Sequence, residues 1–176
     1  LHHAAAWLAL AVLTKPQGLL LAPILLFAWI REGDARRILR SVVWGIAAFI
    51  LVILPYAVQH GPLWIFDLVK GTTGQYAYAS FNGYNLFSLL GANLRADSET
   101  LLFLPYRIWG MILMGASVLY AGYLYLRKEN TSRRVWIAAL VLVTGVFVLG
   151  YRMHERSLYP AVALACFWAA GRKNQG

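Results

Sequence analysis

Two stretches, Ser41–Gln59 and Ile108–Leu126, each run for 19 residues without a charged side chain. A helix that crosses a bilayer needs roughly 20 predominantly apolar residues, with about 17–25 usual. Four further uncharged runs, Ala4–Thr14, Pro16–Ile30, Val135–Tyr151 and Ser157–Gly171, are shorter. Apolar residues make up 60% of the 176 and charged residues 13%, against roughly 45–50% and about 25% in soluble domains. Disorder is excluded, because this much apolar surface must be covered. One small soluble core cannot enclose it, since short chains bury only part of their surface. The expectation is an all-α fold, a polytopic transmembrane helix bundle of about six spans near 1–14, 18–30, 38–57, 104–126, 135–151 and 157–171. Residues 1–176 are read as a single membrane domain. The chain opens on Leu1 with no positively charged leader, so it is read as the C-terminal part of a larger protein with its first span truncated.

A net charge of +9 could signal nucleic acid, but the basic residues form short clusters between uncharged runs rather than one polar face. No nucleic acid partner is expected. Ten of the sixteen lie in three places: Arg31, Arg36, Arg37 and Arg40; Arg127, Lys128, Arg133 and Arg134; Arg172 and Lys173. The positive-inside rule assigns these to the cytoplasm. Alternation of spans then puts Lys15, Lys70, Arg95, Arg107, Arg152 and Arg156 on the other side. The single cysteine, Cys166, excludes a disulfide framework and a cysteine-based metal site. Within the long connection 58–100, Gly71–Leu94 is uncharged yet rich in Gly, Asn, Ser and Gln. That composition marks a loop with short helices, and long loops commonly carry function.

Three segments share the outer face: the turn Thr14-Lys15-Pro16-Gln17, the loop 58–100, and Tyr151-Arg152-Met153-His154-Glu155-Arg156. The last holds four ionisable groups within five residues, more than helix-end pairing requires. Ionisable groups at membrane depth line a cavity or pair with each other. A lipid-linked sugar phosphate would present its anion at this level, where Lys, Arg and His could neutralise it through charge-assisted hydrogen bonds. A carboxylate would deprotonate the acceptor hydroxyl. The outer carboxylates are Asp67, Asp97, Glu99 and Glu155, and Glu155, beside His154 and two arginines, reads as an orienting residue. Aromatic and amide side chains in 75–93 suit a sugar, although Tyr76 and Tyr78 serve equally as an interfacial belt. No carboxylate pair with metal-ligand spacing lies on this face, and no metal or cofactor is expected.

Thr-Lys-Pro-Gln before an apolar helix, Phe-Asn-Gly-Tyr-Asn-Leu-Phe-Ser-Leu-Leu-Gly at 81–91, and Met-His-Glu-Arg at 153–156 occur in that order. In this the chain resembles the C-terminal half of multi-pass GT-C glycosyltransferases, in particular bacterial relatives of the GPI mannosyltransferases. Met-His-Glu-Arg is also similar to the His-Glu-Lys segment of dolichol-phosphate-glucose glucosyltransferases. The resemblance implies an integral-membrane hexosyltransferase of the bacterial cytoplasmic membrane, with mannose the candidate sugar. Its partners would be a polyprenyl-phosphate-linked sugar on the non-cytoplasmic face, a lipid, glycan or protein acceptor, and membrane lipids. His154 and Glu155 are the candidate catalytic residues. Lys15, Gln17, Tyr84, Asn85, Arg152 and Arg156 are the candidate substrate-binding ones. Tyr84 and Asn85 would contact sugar or shape the loop. Ser157 follows Met-His-Glu-Arg where the family usually has Tyr, and Gly83 stands where Ala is commoner, read as a mild change. The family's catalytic aspartate sits in a loop that would precede Leu1, so this chain is not expected to catalyse alone. The alternatives are a transporter segment, which would place ionisable groups mid-span along a two-sided path, and a non-catalytic structural membrane subunit.

Overall fold

The protein is described by a computed structural model that covers residues 1–61, 63–73, 76–127 and 131–173. Gly74, Gln75 and Lys128, which figured in the sequence reading, lie outside the described residues. The chain is mostly helical, and each of the six expected hydrophobic segments contains a helix. These are α1 (His2–Thr14), α2 (Ala22–Glu32, entered by a 3-10 turn at Pro16–Leu21), α3 (Ala35–His60), α6 (Tyr106–Leu126), α7 (Thr131–Leu149) and α8 (Tyr159–Lys173). Among the described residues two of them, α3 and α6, are long and apolar enough to cross a membrane. The connection between α3 and α6 carries short helices, as expected: α4 (Trp64–Thr73) and α5 (Leu86–Leu89). It also takes part in structure that an all-α reading did not contain. Four two-residue strands, β1 (Ser80–Phe81), β2 (Thr100–Leu101), β3 (Leu104–Pro105) and β4 (Met153–His154), pair as β1 with β4 in parallel and β2 with β3 antiparallel. Segments this short carry no period-2 hydrophobic signal, so pattern reading passes over them.

The chain forms two compact units, Leu1–Gln75 and Tyr76–Gly176. In the first, Gly33 ends α2 at φ 65 and Asp34 caps α3 by accepting from the Arg36 and Arg37 amides. A left-handed glycine after one helix followed by a side-chain cap on the next makes a two-residue corner. The fully buried Ser41 hydroxyl donates to the Leu1 carbonyl at 3.1 Å and accepts from Trp29 Nε1 at 3.1 Å, tying α1 and α2 to α3. Ala5 meets Gly45 four residues further on, so α1 and α3 run side by side in the same direction. Leu39, Val43, Ile46, Ile50, Leu54 and Val58 are all exposed along α3.

The second unit is built on the α6–α7 hairpin. Gly110, Ser117, Ala121 and Tyr125 are buried on α6, and Ala138, Leu142, Val143, Val146 and Phe147 on α7. The spacing of three and four residues puts each set on one helix face. Small residues on α6 let the backbones approach closely, as helix pairs in membranes commonly do. Above this hairpin the connection has a core of its own. Phe87 is fully buried against the edge of Tyr106, ring centres 5.7 Å apart, with Ala79, Ala92 and Trp109 around them. The 76–105 segment is therefore a folded cap on α6 rather than an open loop.

Candidate functional site

Residues 77–81 form the middle of a small ribbon. On one side Ala79 N donates to Arg95 O, Leu94 N to Ser80 O, and Asp97 N to Ala77 O. On the other, Arg152 N donates to Ala79 O, and β1 pairs with β4 so that Ser80 stands opposite Met153 and Phe81 opposite His154. Ala79 and Ser80 are both fully buried, and their small side chains let both neighbours close in. Gly83 continues this contact. A Cβ there would fall 2.7 Å from the Met153 carbonyl oxygen, so the expectation that alanine differs only mildly at this position does not hold in this chain. The loop 76–97 and the turn 150–156, more than 50 residues apart, are thereby one structure.

Side chains secure the same junction. Asn85 is buried. Its Nδ2 donates to Gly150 O at 2.8 Å, and its Oδ1 accepts from Ser88 N at 3.1 Å, capping α5. Of the two roles expected for Asn85, contacting sugar or shaping the loop, its hydrogen bonds serve the second. Asn82 and Asn93 exchange hydrogen bonds across the ribbon, the Asn82 amide donating to Asn93 Oδ1 and Asn93 Nδ2 to Asn82 Oδ1. The carboxylate of Asp97, only 6% exposed, accepts from Arg152 Nε at 2.6 Å. This pair is the contribution that sequence reasoning missed: Asp97 was one of four outer carboxylates, and nothing in its neighbours singled it out. Asn82, Tyr84, Leu94 and Arg152 all have φ between 47 and 62. Left-handed backbone costs a residue with a side chain roughly 1–2 kcal/mol. Such outliers persist where surrounding contacts over-determine the backbone, and they cluster at functional sites.

The chemistry-bearing groups stand on this frame. The His154 ring packs 5.0 Å from Phe81, which also touches Tyr76 and Tyr78. Arg156 Nη2 lies 3.3 Å from His154 Nε2. Since arginine can only donate, that contact is a hydrogen bond when the imidazole proton is on Nδ1. Nδ1 is buried and makes no hydrogen bond, and the half-exposed Glu155 carboxylate stands 3.6 Å from it. Glu155 thus sits where an orienting partner would, just beyond hydrogen-bond reach. Tyr84 is exposed at the rim. Of the predicted residues, the structure brings together Arg152, His154, Glu155, Arg156, Tyr84 and Asn85. Lys15 and Gln17 belong to the first unit, where Lys15 is exposed between α1 and the 3-10 turn. Among the described residues no group of three His, Cys, Asp or Glu could hold a metal ion.

Comparison of the chain with protein-family models, with curated proteins and with solved structures returned no match.

Proposed function

We propose that this chain belongs to an integral-membrane glycosyltransferase that moves a hexose, mannose the candidate, from a polyprenyl phosphate to a lipid, glycan or protein acceptor outside the cytoplasm. The observation that carries this reading is the Arg156–His154 pair on a turn held by buried bonds. A guanidinium and an imidazole nitrogen 3.3 Å apart are placed to converge on one anionic oxygen, once the ring takes the tautomer that donates from Nε2. The bond from the sugar to the phosphate oxygen breaks in transfer, and that oxygen gains charge. Preorganised donors aimed at developing charge lower the barrier. Arg152, its charge paired with the Asp97 carboxylate, holds the turn, and Glu155, 3.6 Å from His154 Nδ1, can orient the ring only when that nitrogen also carries a proton. Tyr84 and the rings of Tyr76, Tyr78 and Phe81 offer apolar surface to a sugar.

In this reading six helices, α1, α2 with its 3-10 turn, α3, α6, α7 and α8, cross a bacterial cytoplasmic membrane. The basic connections 31–40 and 127–134 face the cytoplasm and 58–100 faces outward. Uncovered apolar residues along α3 support a lipid surround.

The test is turnover of the full-length enzyme with a polyprenyl-phosphate hexose. His154→Ala and Arg156→Gln should each lower turnover by roughly 10²–10³-fold without moving the unfolding midpoint. Near-native turnover in both variants would remove the turn from the active site.

A further inference from the structure

The β2–β3 hairpin ends in a two-residue turn, Leu102-Phe103, with Thr100 opposite Pro105 and Leu101 opposite Leu104. Two-residue hairpin turns favour Asn, Asp and Gly, because they need positive φ and usually face water. This turn carries two large apolar residues instead. Leu102 holds φ 60, a conformation that strains a branched side chain. Leu102 is 83% exposed and Phe103 72%, so neither is there to fill a core.

The position of the hairpin says what meets them. Pro105 leads directly into α6, a 21-residue helix apolar enough to cross a membrane. At 1.5 Å per residue it spans about 31 Å, close to the ~30 Å hydrocarbon core. The first turn of α6 then lies at a membrane boundary. The hairpin is bound to that turn: Trp109 Nε1 donates to Leu101 O at 3.0 Å, and the Phe103 ring packs edge-on to Trp109 with centres 5.2 Å apart. Arg107, exposed in the same first turn, supplies a cation at the level of lipid phosphates. An aromatic pair, an exposed leucine and an arginine at one helix end match the side chains that anchor proteins at the membrane interface.

We propose that this hairpin is a lipid anchor, with Leu102 and Phe103 inserted at the headgroup–acyl boundary beside the first turn of α6. The anchor would hold the 76–105 cap against the bilayer surface and fix its height there. The inference rests on the membrane placement of α6 but not on glycosyl transfer.

The experiment uses the full-length protein with Cys166→Ser, reconstituted into vesicles of mixed phosphatidylcholine and phosphatidylglycerol. Single spin labels are placed through Leu102→Cys, Phe103→Cys, Ser98→Cys and Leu119→Cys, the last on the exposed face of mid-α6. Collision with oxygen and with a water-soluble nickel chelate reads depth. Expected is a several-fold higher oxygen-to-nickel ratio at 102 and 103 than at 98, at about 5–10 Å of insertion, with 119 deeper still. If 119 lies in hydrocarbon while 102 and 103 collide freely with nickel, the anchor is overturned and the membrane placement stands. If 119 also meets nickel, both fall. Spin–spin broadening at 102 that disappears on dilution with unlabelled protein would instead show a contact between two copies, and would likewise overturn the lipid assignment.

Discussion

Gly83→Ala would test the junction between the loop and the turn more sharply than any charged substitution. The methyl group would stand 2.7 Å from Met153 O, 3.1 Å from Met153 C and 3.1 Å from Ser80 Oγ. Ordinary contact begins near about 3.5 Å, so the Met153 carbonyl must retreat by roughly 0.8 Å at its oxygen and about 0.4 Å at its carbon. It is not free to do so, because β4 is paired to β1 and Arg152 N is bonded to Ala79 O at 3.1 Å. Overpacking of this kind costs about 1–3 kcal/mol. The reduced freedom of the unfolded chain returns about 0.4–1 kcal/mol, leaving a net loss of about 1–2 kcal/mol. For a protein of this size that lowers the unfolding temperature by roughly 2–4 °C per kcal/mol. Gly115→Ala is the control. It lies within α6 with nothing near its would-be Cβ, and alanine there should stabilise by about 0.5–1 kcal/mol. Thermal unfolding in detergent gives the stabilities, and amide exchange at Arg152 reports the junction itself. The reasoning is refuted if Gly83→Ala unfolds at or above the wild-type temperature with Arg152 exchange unchanged.

Three further outcomes are expected. Asp97→Asn should weaken the bond to Arg152, and a double-mutant cycle with Arg152→Gln should return a coupling of about 1.5–3 kcal/mol, the range for hydrogen bonds to charged groups. Additive losses would mean that the 2.6 Å contact holds nothing. Phe87→Ala, emptying a fully buried site against Tyr106, should cost about 3–5 kcal/mol, measured as loss of the cooperative unfolding transition at ordinary temperature. In a Cys166→Ser background, Arg36→Cys and Ser98→Cys should react with an impermeant maleimide from opposite sides of sealed vesicles; labelling of both from one side breaks the six-span arrangement.

The helices were legible in the sequence because their signal is local. An uncharged run such as Ser41–Gln59 states its own requirement, and α3 formed over it whatever its neighbours are. The turn 152–156 stood out for a similar reason, since four ionisable groups in five residues need no partner to be noticed. The connection around Asn82 and Gly83 was legible as a loop with short helices, because its Gly, Asn, Ser and Gln content is a local signal too. Nothing local distinguished Asp97 or Ser80, or gave Phe81 a partner in the distant turn. Their roles come from partners 55 to 73 positions away, Arg152, His154 and Met153, and two-residue strands have too few residues to show a period. The left-handed backbone at Tyr84 and Arg152 was invisible for the same reason: intrinsic preference opposes it, and only tertiary contacts hold it. The sequence by itself determined where helices form and which turn gathers charge. The tertiary structure decided that the turn is held by a loop far from it in the chain, because such pairing depends on distances that no stretch of sequence contains.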